Sequence, residues 1–299
     1  MSIITIAIKA TATRRLRRAD TETEVTKPNG KIALVTGASS GIGQATAQRL
    51  EAVGYKVYGT SRRGAGAGRR TFEMLPLDVT SNDSVAAAVG ELVRLEGQID
   101  LLVNNAGFGV APAAAEESSI TQAQSIFDTN FFGIVRMTRA VVPHMRSQGS
   151  GRIINIGSVL GFLPMPFAAL YSASKHAVEG YSESLDHELR TRGIRVVVIE
   201  PAYTKTAFDA NFLEPDAMLD AYREVRVAIN GRVKEVMETA VGPAVVAETV
   251  LKAARAVHPK LRYTAGSLAG RLRLLRRFAP AGVVDAGIRR DLRLDGGAI

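Results

Sequence analysis

From Lys31 onward the chain alternates short β-branched runs with longer stretches of helical periodicity, the pattern of a parallel sheet covered by helices on both faces. Strands are predicted over residues 31–36, 56–60, 71–76, 101–104, 152–156 and 195–199, with a weaker seventh over 261–264. Val85, Val89, Leu92 and Val93 recur at i, i+4, i+7 and i+8, a single apolar stripe suited to a helix lying on the sheet. The longest helical stretch covers 122–146. A second covers 169–191 and stops at Gly193, a residue suited to a left-handed cap. The fold class is α/β, a doubly wound parallel sheet of about seven strands in a single domain over residues 31–265, with no internal repeat.

The two ends differ from this body. Residues 1–30 carry six Lys/Arg against three Asp/Glu and residues 251–299 carry eleven against three, so with a total of +9 the middle has a net charge of −2. A basic excess confined to the ends argues against a nucleic-acid groove on the domain itself. Residues 1–30 place the apolar Ile3–Ile8 run before Arg14, Arg15, Arg17 and Arg18, the reverse of a secretory signal. They read as a disordered basic extension, with a transit peptide as the alternative.

Residues 266–299 form a second basic extension. In it Leu268, Leu272, Leu275 and Ala279 make an apolar stripe among Arg271, Arg273, Arg276 and Arg277. The stripe either caps the domain or a neighbouring subunit, with the arginines as a solvated face, or docks reversibly on anionic lipid. No apolar run reaches the ~18 to 20 residues that cross a bilayer, so no integral membrane span is expected.

The absence of cysteine excludes thiol catalysis, disulfides and Cys-ligated zinc. The four histidines, His144, His176, His187 and His258, have no metal-ligand spacing, so no metal is expected. His176 is assigned to packing.

The first chemical signal is Leu34-Val-Thr-Gly-Ala-Ser-Ser-Gly-Ile-Gly43, at the junction of the first strand and first helix. Gly37 permits a tight turn, Gly41 lets backbone approach a pyrophosphate, and Gly43 lets helix pack on strand. Free amides are left aimed at phosphates, so Gly37, Ser39, Ser40, Gly41, Ile42 and Gly43 are assigned to a dinucleotide in a Rossmann-type sheet.

The glycine spacing Thr-Gly-x-x-x-Gly-x-Gly resembles that of the short-chain dehydrogenase/reductases, in particular their hydroxysteroid and retinol dehydrogenase branch. Three further features carry the resemblance over about residues 31–265: Asn104-Asn105-Ala106-Gly107, the set Ser158, Tyr171 and Lys175 at the family's spacing, and Asn130 in the long helix. It implies that Asn130 holds a water in a proton relay and that Tyr171 and Lys175 also meet the nicotinamide ribose. It further implies cofactor contacts from Asp78, Val79, Asn105, Ala106, Gly107, Pro201 and Thr206. Pro201-Ala202 departs from the family's Pro-Gly, which weakens the assignment of Thr206.

The chemistry also stands on the residues themselves. Tyr171 and Lys175, at i and i+4 in a helix, share one face. A phenol with pKa ~10 is a poor proton shuttle at neutral pH until a nearby ammonium favours its phenolate. Ser158, just beyond a strand end, can hydrogen-bond the substrate oxygen while Tyr171 exchanges its proton.

After the second strand the chain reads Ser61-Arg62, where a carboxylate would select NAD, and the guanidinium of Arg62 suits a 2′-phosphate, so NADP(H) is preferred over NAD(H). Phe108, Leu160, Phe162, Leu163, Phe167, Phe208 and Phe212 near the strand ends suggest an apolar pocket, with Ser158, Phe162 and Phe208 as substrate contacts and a mobile lid near 204–240.

The expected activity is NADP(H)-dependent interconversion of a lipophilic ketone or aldehyde and its alcohol, in the cytoplasm. The alternatives are an NAD-dependent alcohol dehydrogenase of the same family and a non-catalytic NADP(H)-binding regulator. A homo-oligomer is compatible with all three, and no nucleic-acid partner is expected.

Overall fold

The structure, a computed structural model, describes residues 30–64, 70–206 and 212–294. The predicted N-terminal extension, apart from Gly30, and the predicted substrate contact Phe208 lie outside them. Seven parallel strands form one sheet in the order β3-β2-β1-β4-β5-β6-β7. They are β1 (Ile32–Val35), β2 (Lys56–Ser61), β3 (Glu73–Pro76), β4 (Leu101–Asn104), β5 (Gly151–Ile156), β6 (Ile194–Pro201) and β7 (Arg262–Ala265). The apolar runs that predicted the central strands are buried on both faces, as a covered parallel sheet requires. Strand order reverses between β1 and its two neighbours β2 and β4, which opens a crevice at their carboxyl ends.

One layer of helices contains α1 (Gly41–Glu51) and α7 (Pro243–Arg255). Ala47 and Leu50 of α1 pack with Val246 and Val250 of α7 against the sheet. The other layer contains α2 (Asn82–Glu96), α4 (Gly133–Gln148) and α5 (Ala169–Leu189). Val85, Val89 and Leu92 of the predicted stripe are buried there, and Val93 packs at its edge. Helix α2 is capped by the Ser81 hydroxyl, which accepts from Ser84 N, and it ends at Gly97 in the left-handed region.

The stretch predicted as one helix over 122–146 is interrupted. It runs as α3 (Ile120–Phe127), a wide π turn (Asp128–Phe132) and then α4. The predicted end of the second long helix is a short 3-10 turn, Arg190–Arg192, closed by Gly193 at φ 74°.

Beyond residue 201 lie α6 (Arg223–Thr239) and the C-terminal α8 (Ser267–Phe278) and α9 (Ala281–Asp291). Of the apolar stripe on α8, Leu268 and Leu275 are 37% and 41% exposed, while Leu272 and Ala279 are partly buried. The inward side is made by Ala269, fully buried, and by Arg273, which pairs with the buried Glu200 at the end of β6.

Candidate active site

The glycine loop leaves a space shaped by what a side chain would strike. Gly37 and Gly41 have φ of 65° and 55°. A Cβ on Gly43 would come within 2.3 Å of Gly37 O, so helix α1 can approach β1 only with glycine there. The N-cap Ser40 makes no side-chain cap, which leaves the first-turn amides of α1 without that partner. Such an N-terminus suits a pyrophosphate. The loop is held from β4: Asn105 Nδ2 donates to Thr36 O and Gly37 O at 3.0 and 3.1 Å, and the amides of Asn105 and Ala106 donate to Thr36 Oγ1. Asn105 therefore shapes the cradle. Thr206 lies against Gly41, 3.2 Å from where its Cβ would be.

At the end of β2, Ser61 Oγ donates to Gly64 O at 2.9 Å and closes the turn that exposes Arg62. Arg70 donates from Nη2 to Ser39 O at 3.3 Å and brings a second cation to the glycine loop. Asp78 Oδ1 accepts from Thr80 N and Thr80 Oγ1 at 2.9 and 2.7 Å, and these bonds hold its carboxyl below the usual range. One carboxylate oxygen is thus engaged in its own turn. Val79 is buried against Gly133.

The catalytic candidates meet beyond the carboxyl ends of β4 and β5. The π turn carries Asn130 inward, where it is 1% exposed. Its Nδ2 donates to Phe108 O at 2.9 Å and to Ser174 Oγ at 3.3 Å, and its Oδ1 accepts from Phe108 N at 3.0 Å. The side chain thus clamps the loop after β4 to helix α5. A Cβ on Gly107 would stand 3.0 Å from Asn130 Oδ1, so a larger residue there would press on this side chain.

Ser158 caps a 3-10 turn (Val159–Gly161), its Oγ accepting from Leu160 N at 3.1 Å while its O–H can still donate. Lys175 is buried and donates from Nζ to Ile156 O at 2.9 Å. The same Nζ lies 5.6 Å from the centre of the Tyr171 ring. Burial pulls the Lys175 ammonium down to about 8, and the charge of Glu179 opposes that fall.

His176, assigned to packing, is exposed, with Nδ1 2.8 Å from Ser172 O. Position i+5 from Tyr171 turns it away from the site.

Phe162 lies under the Arg273 guanidinium, 5.0 Å from its ring centre. Phe167 stacks edge-on with Tyr222 at 6.1 Å. The segment before α6 is fastened across the loop after β4. Leu213 pairs with Val110, and the fully buried Glu117 accepts from Leu219 N at 2.9 Å and pairs with Arg226. These buried ties, passed over in the sequence, join the predicted lid to the loop that Asn130 clamps.

A family model for short chain dehydrogenase matches residues 31–217. The chain belongs to the short-chain dehydrogenase/reductase family. It is 44% identical over 182 residues to 3-ketodihydrosphingosine reductase of Bacteroides thetaiotaomicron, covering 60% of this chain and 66% of that protein. It is 37% identical to human 17-beta-hydroxysteroid dehydrogenase type 1 over 254 residues, covering 78% and 76%. With human retinol dehydrogenase 16 it shares 35% over 278 residues, covering 86% and 87%.

Among solved structures, a short-chain dehydrogenase from Streptomyces avermitilis superposes with a TM-score of 0.74 at 31% identity, over 91% of this chain and 99% of that one. A Burkholderia phymatum family member in complex with NAD gives 0.70 at 26% identity, over 84% and 95%. Serine dehydrogenase complexed with NADP+ gives 0.67 at 28%, over 78% and 93%. Among the described residues no helix is long and apolar enough to cross a membrane.

Proposed function

We propose that the protein is an NADP(H)-dependent oxidoreductase that interconverts a lipophilic ketone or aldehyde and its alcohol, with Tyr171 as general acid/base. The observation that carries this reading is the buried Lys175 ammonium, anchored on Ile156 O and lying 5.6 Å from the Tyr171 ring centre. A cation there favours the phenolate, so the Tyr171 hydroxyl can give its proton to a carbonyl oxygen, or take one from an alcohol, near neutral pH. Ser158 Oγ donates to the same oxygen and orients it. A bound nicotinamide dinucleotide supplies the hydride. Its pyrophosphate would be held by residues 37–43 and its nicotinamide end by Lys175, Pro201 and Thr206. Its adenosine would lie near Asp78, Val79, Asn105, Ala106 and Gly107.

The preference for NADP(H) rests on Arg62, supported by Arg70 beside the loop, and on the lack of a carboxylate at Ser61. Both cofactors occur among the structural relatives. Joint replacement Ser61→Asp with Arg62→Ala is expected to move preference toward NADH, each lost charge-assisted contact being worth ~1.5 to 3 kcal/mol. A wild type that uses NADH as well as NADPH favours the NAD-dependent alternative. Tyr171→Phe is expected to abolish turnover in a screen of lipophilic ketones and alcohols while NADPH still binds. Residual activity above a few per cent overturns the acid/base assignment, and a wild type inert across the screen favours the non-catalytic binder.

The lipophilic substrate is supported by the apolar residues Phe162, Leu163, Phe167 and Phe212 that follow the strand ends in the chain and by the names of the sphingoid, steroid and retinol relatives. The outward face of α8 extends the same reading. Leu274 and Phe278, 60% and 74% exposed, stand with Leu268 and Leu275 among Arg271, Arg276 and Arg277. Apolar side chains ringed by cations suit reversible docking on anionic lipid from an otherwise cytoplasmic protein. Co-sedimentation with anionic but not neutral vesicles, reversed by salt, is the expected result, and recovery in the supernatant throughout refutes it.

A further inference from the structure

Behind the catalytic lysine lies a charged cluster that neither the fold nor the proposed chemistry accounts for. Glu179 stands one turn after Lys175 on α5, and Glu200 ends β6. They are 7% and 0% exposed. The two carboxyls gather on one guanidinium. Arg262, from β7, donates from Nε to Glu179 Oε2 at 2.7 Å and from Nη2 to Glu183 Oε2 at 2.7 Å, and its Nε lies 3.8 Å from Glu200 Oε1. Arg273, from α8, pairs with Glu200.

The cluster reaches the active-site loop. A Cβ on Gly161 would meet Glu179 Cγ at 3.0 Å, and one on Gly157 would meet Glu179 Oε1 at 3.3 Å. The two glycines flanking the Ser158 turn therefore leave room for this carboxyl beneath it. If both carboxyls are ionised, Glu179 Oε1 and Glu200 Oε2 are buried without a hydrogen-bond partner among the described residues. A single proton held by the pair supplies a donor.

We infer that Glu179 is a positioning residue for Lys175: braced by Arg262 and paired with Glu200, its carboxylate holds the ammonium charged on Ile156 O, where it faces Tyr171. The inference rests on the role given to Lys175 above. The charges involved are those of Glu179 and Glu183 on α5, Glu200 on β6, Arg262 on β7 and Arg273 on α8, with the Tyr171 phenol on the open side. Lys175 brings the third positive charge against three carboxylates, so the fully ionised cluster is neutral. Burial and the charge of Glu179 push Glu200 up to about 7, and burial raises Glu179 too, so Glu200 is ionised over most of the range in which Lys175, near 8, titrates.

The field at Lys175 therefore comes mainly from Glu179, and Glu200 acts in the same sense but more weakly. The test is a pH titration of Lys175 by lysine-selective carbon NMR in the cofactor-free protein, the signal being assigned with Lys175→Arg. In Glu179→Gln the midpoint is expected to move down by roughly one unit, because an opposing charge is lost. In Glu200→Gln it is expected to fall by less, because Glu179, one turn from Lys175, stays ionised. Glu179→Asp should restore most of the loss. An unmoved signal in Glu179→Gln, or an equal or larger fall in Glu200→Gln, overturns the inference. If Glu179→Gln does not fold, Glu179→Asp decides, since its charge is drawn back by one methylene and an unmoved midpoint then overturns the inference. The titration needs no substrate, so failure of the proposed activity would be seen separately, in the Tyr171→Phe assay.

Discussion

Helix α5 lies along β6 and sets a buried carboxylate near each end of that strand, and the two ends treat it in opposite ways. Near the helix C-terminus Asp186 faces the start of β6. Its Oδ1 accepts from Arg195 Nε at 2.8 Å and Val196 N at 2.9 Å, and its Oδ2 accepts from Arg195 Nη2 and Arg190. Burial alone would raise this carboxyl, but the bonds from Arg195, Val196 N and Arg190 outweigh it and hold Asp186 down to about 2. Near the end of β6, Glu179 from the middle of the helix meets Glu200, and both are raised. The first site supplies every oxygen with a donor and is a structural clamp. The second brings like charges together beside the lysine of the active site, an arrangement that costs stability and yields a group able to titrate near neutrality. Two carboxylates of similar burial thus separate the part of the molecule that holds the fold from the part that shapes the chemistry.

The largest effect expected from breaking this contrast is on stability. Asp186→Asn removes the charge that satisfies two guanidiniums and is expected to cost ~3 kcal/mol, in line with breaking a buried ion pair. The urea midpoint should fall, while the midpoint of Lys175 titration stays where it is. A loss below ~1 kcal/mol would show that the Asp186 clamp does not support the fold.

A smaller effect is expected from pH, with opposite signs at the two ends. Asp186 titrates lower in the fold than its ordinary 3.8, so its contribution is present above that value and lost as pH falls toward about 2. Glu200 titrates higher in the fold than its ordinary 4.5, so stability is expected to fall as pH rises from there through about 7. Glu200→Gln should match the wild type near pH ~4.5 and exceed it by on the order of 2 kcal/mol near pH ~8. Denaturant melts at both pH values measure the difference. A variant that tracks the wild type at both would mean that Glu200 ionises in the fold without penalty.

Much of this molecule was legible in the sequence, and the reason differs by region. The central strands were read from β-branched runs because a parallel sheet buried on both faces tolerates little else. Ser158, Tyr171 and Lys175 were read because their order and spacing are local, and Tyr171 and Lys175 share one helix turn. The Glu179 cluster was not, since its members stand on α5, β6, β7 and α8 and meet only through the sheet. In the chain Glu179, Glu183 and Asp186 look like the solvated face of a helix. The same limit hid the partner of Arg273, which reads in the chain as one more cation of a basic helix and meets Glu200 across the fold. The π turn at Asn130 escaped too, because nothing in the apolar periodicity of 122–146 marks the extra residue that swings it inward.

The smallest expected effect divides the clamp itself. Arg190 is half exposed in its side chain, whereas Arg195 is 21% exposed and also donates to Pro259 O. With Arg190 removed, Asp186 keeps both bonds from Arg195 and that from Val196 N, so its charge remains satisfied. Water can replace the outer guanidinium, and an exposed pair of this kind contributes ~0.2 to 1 kcal/mol. Arg190→Ala is therefore expected to lower stability by less than ~1 kcal/mol, with a dependence on salt that Asp186→Asn lacks. Urea melts at low and high ionic strength distinguish the two. A loss from Arg190→Ala as large as that from Asp186→Asn would mean that both guanidiniums are needed to hold the carboxylate, and the clamp would extend to the helix end at Leu189.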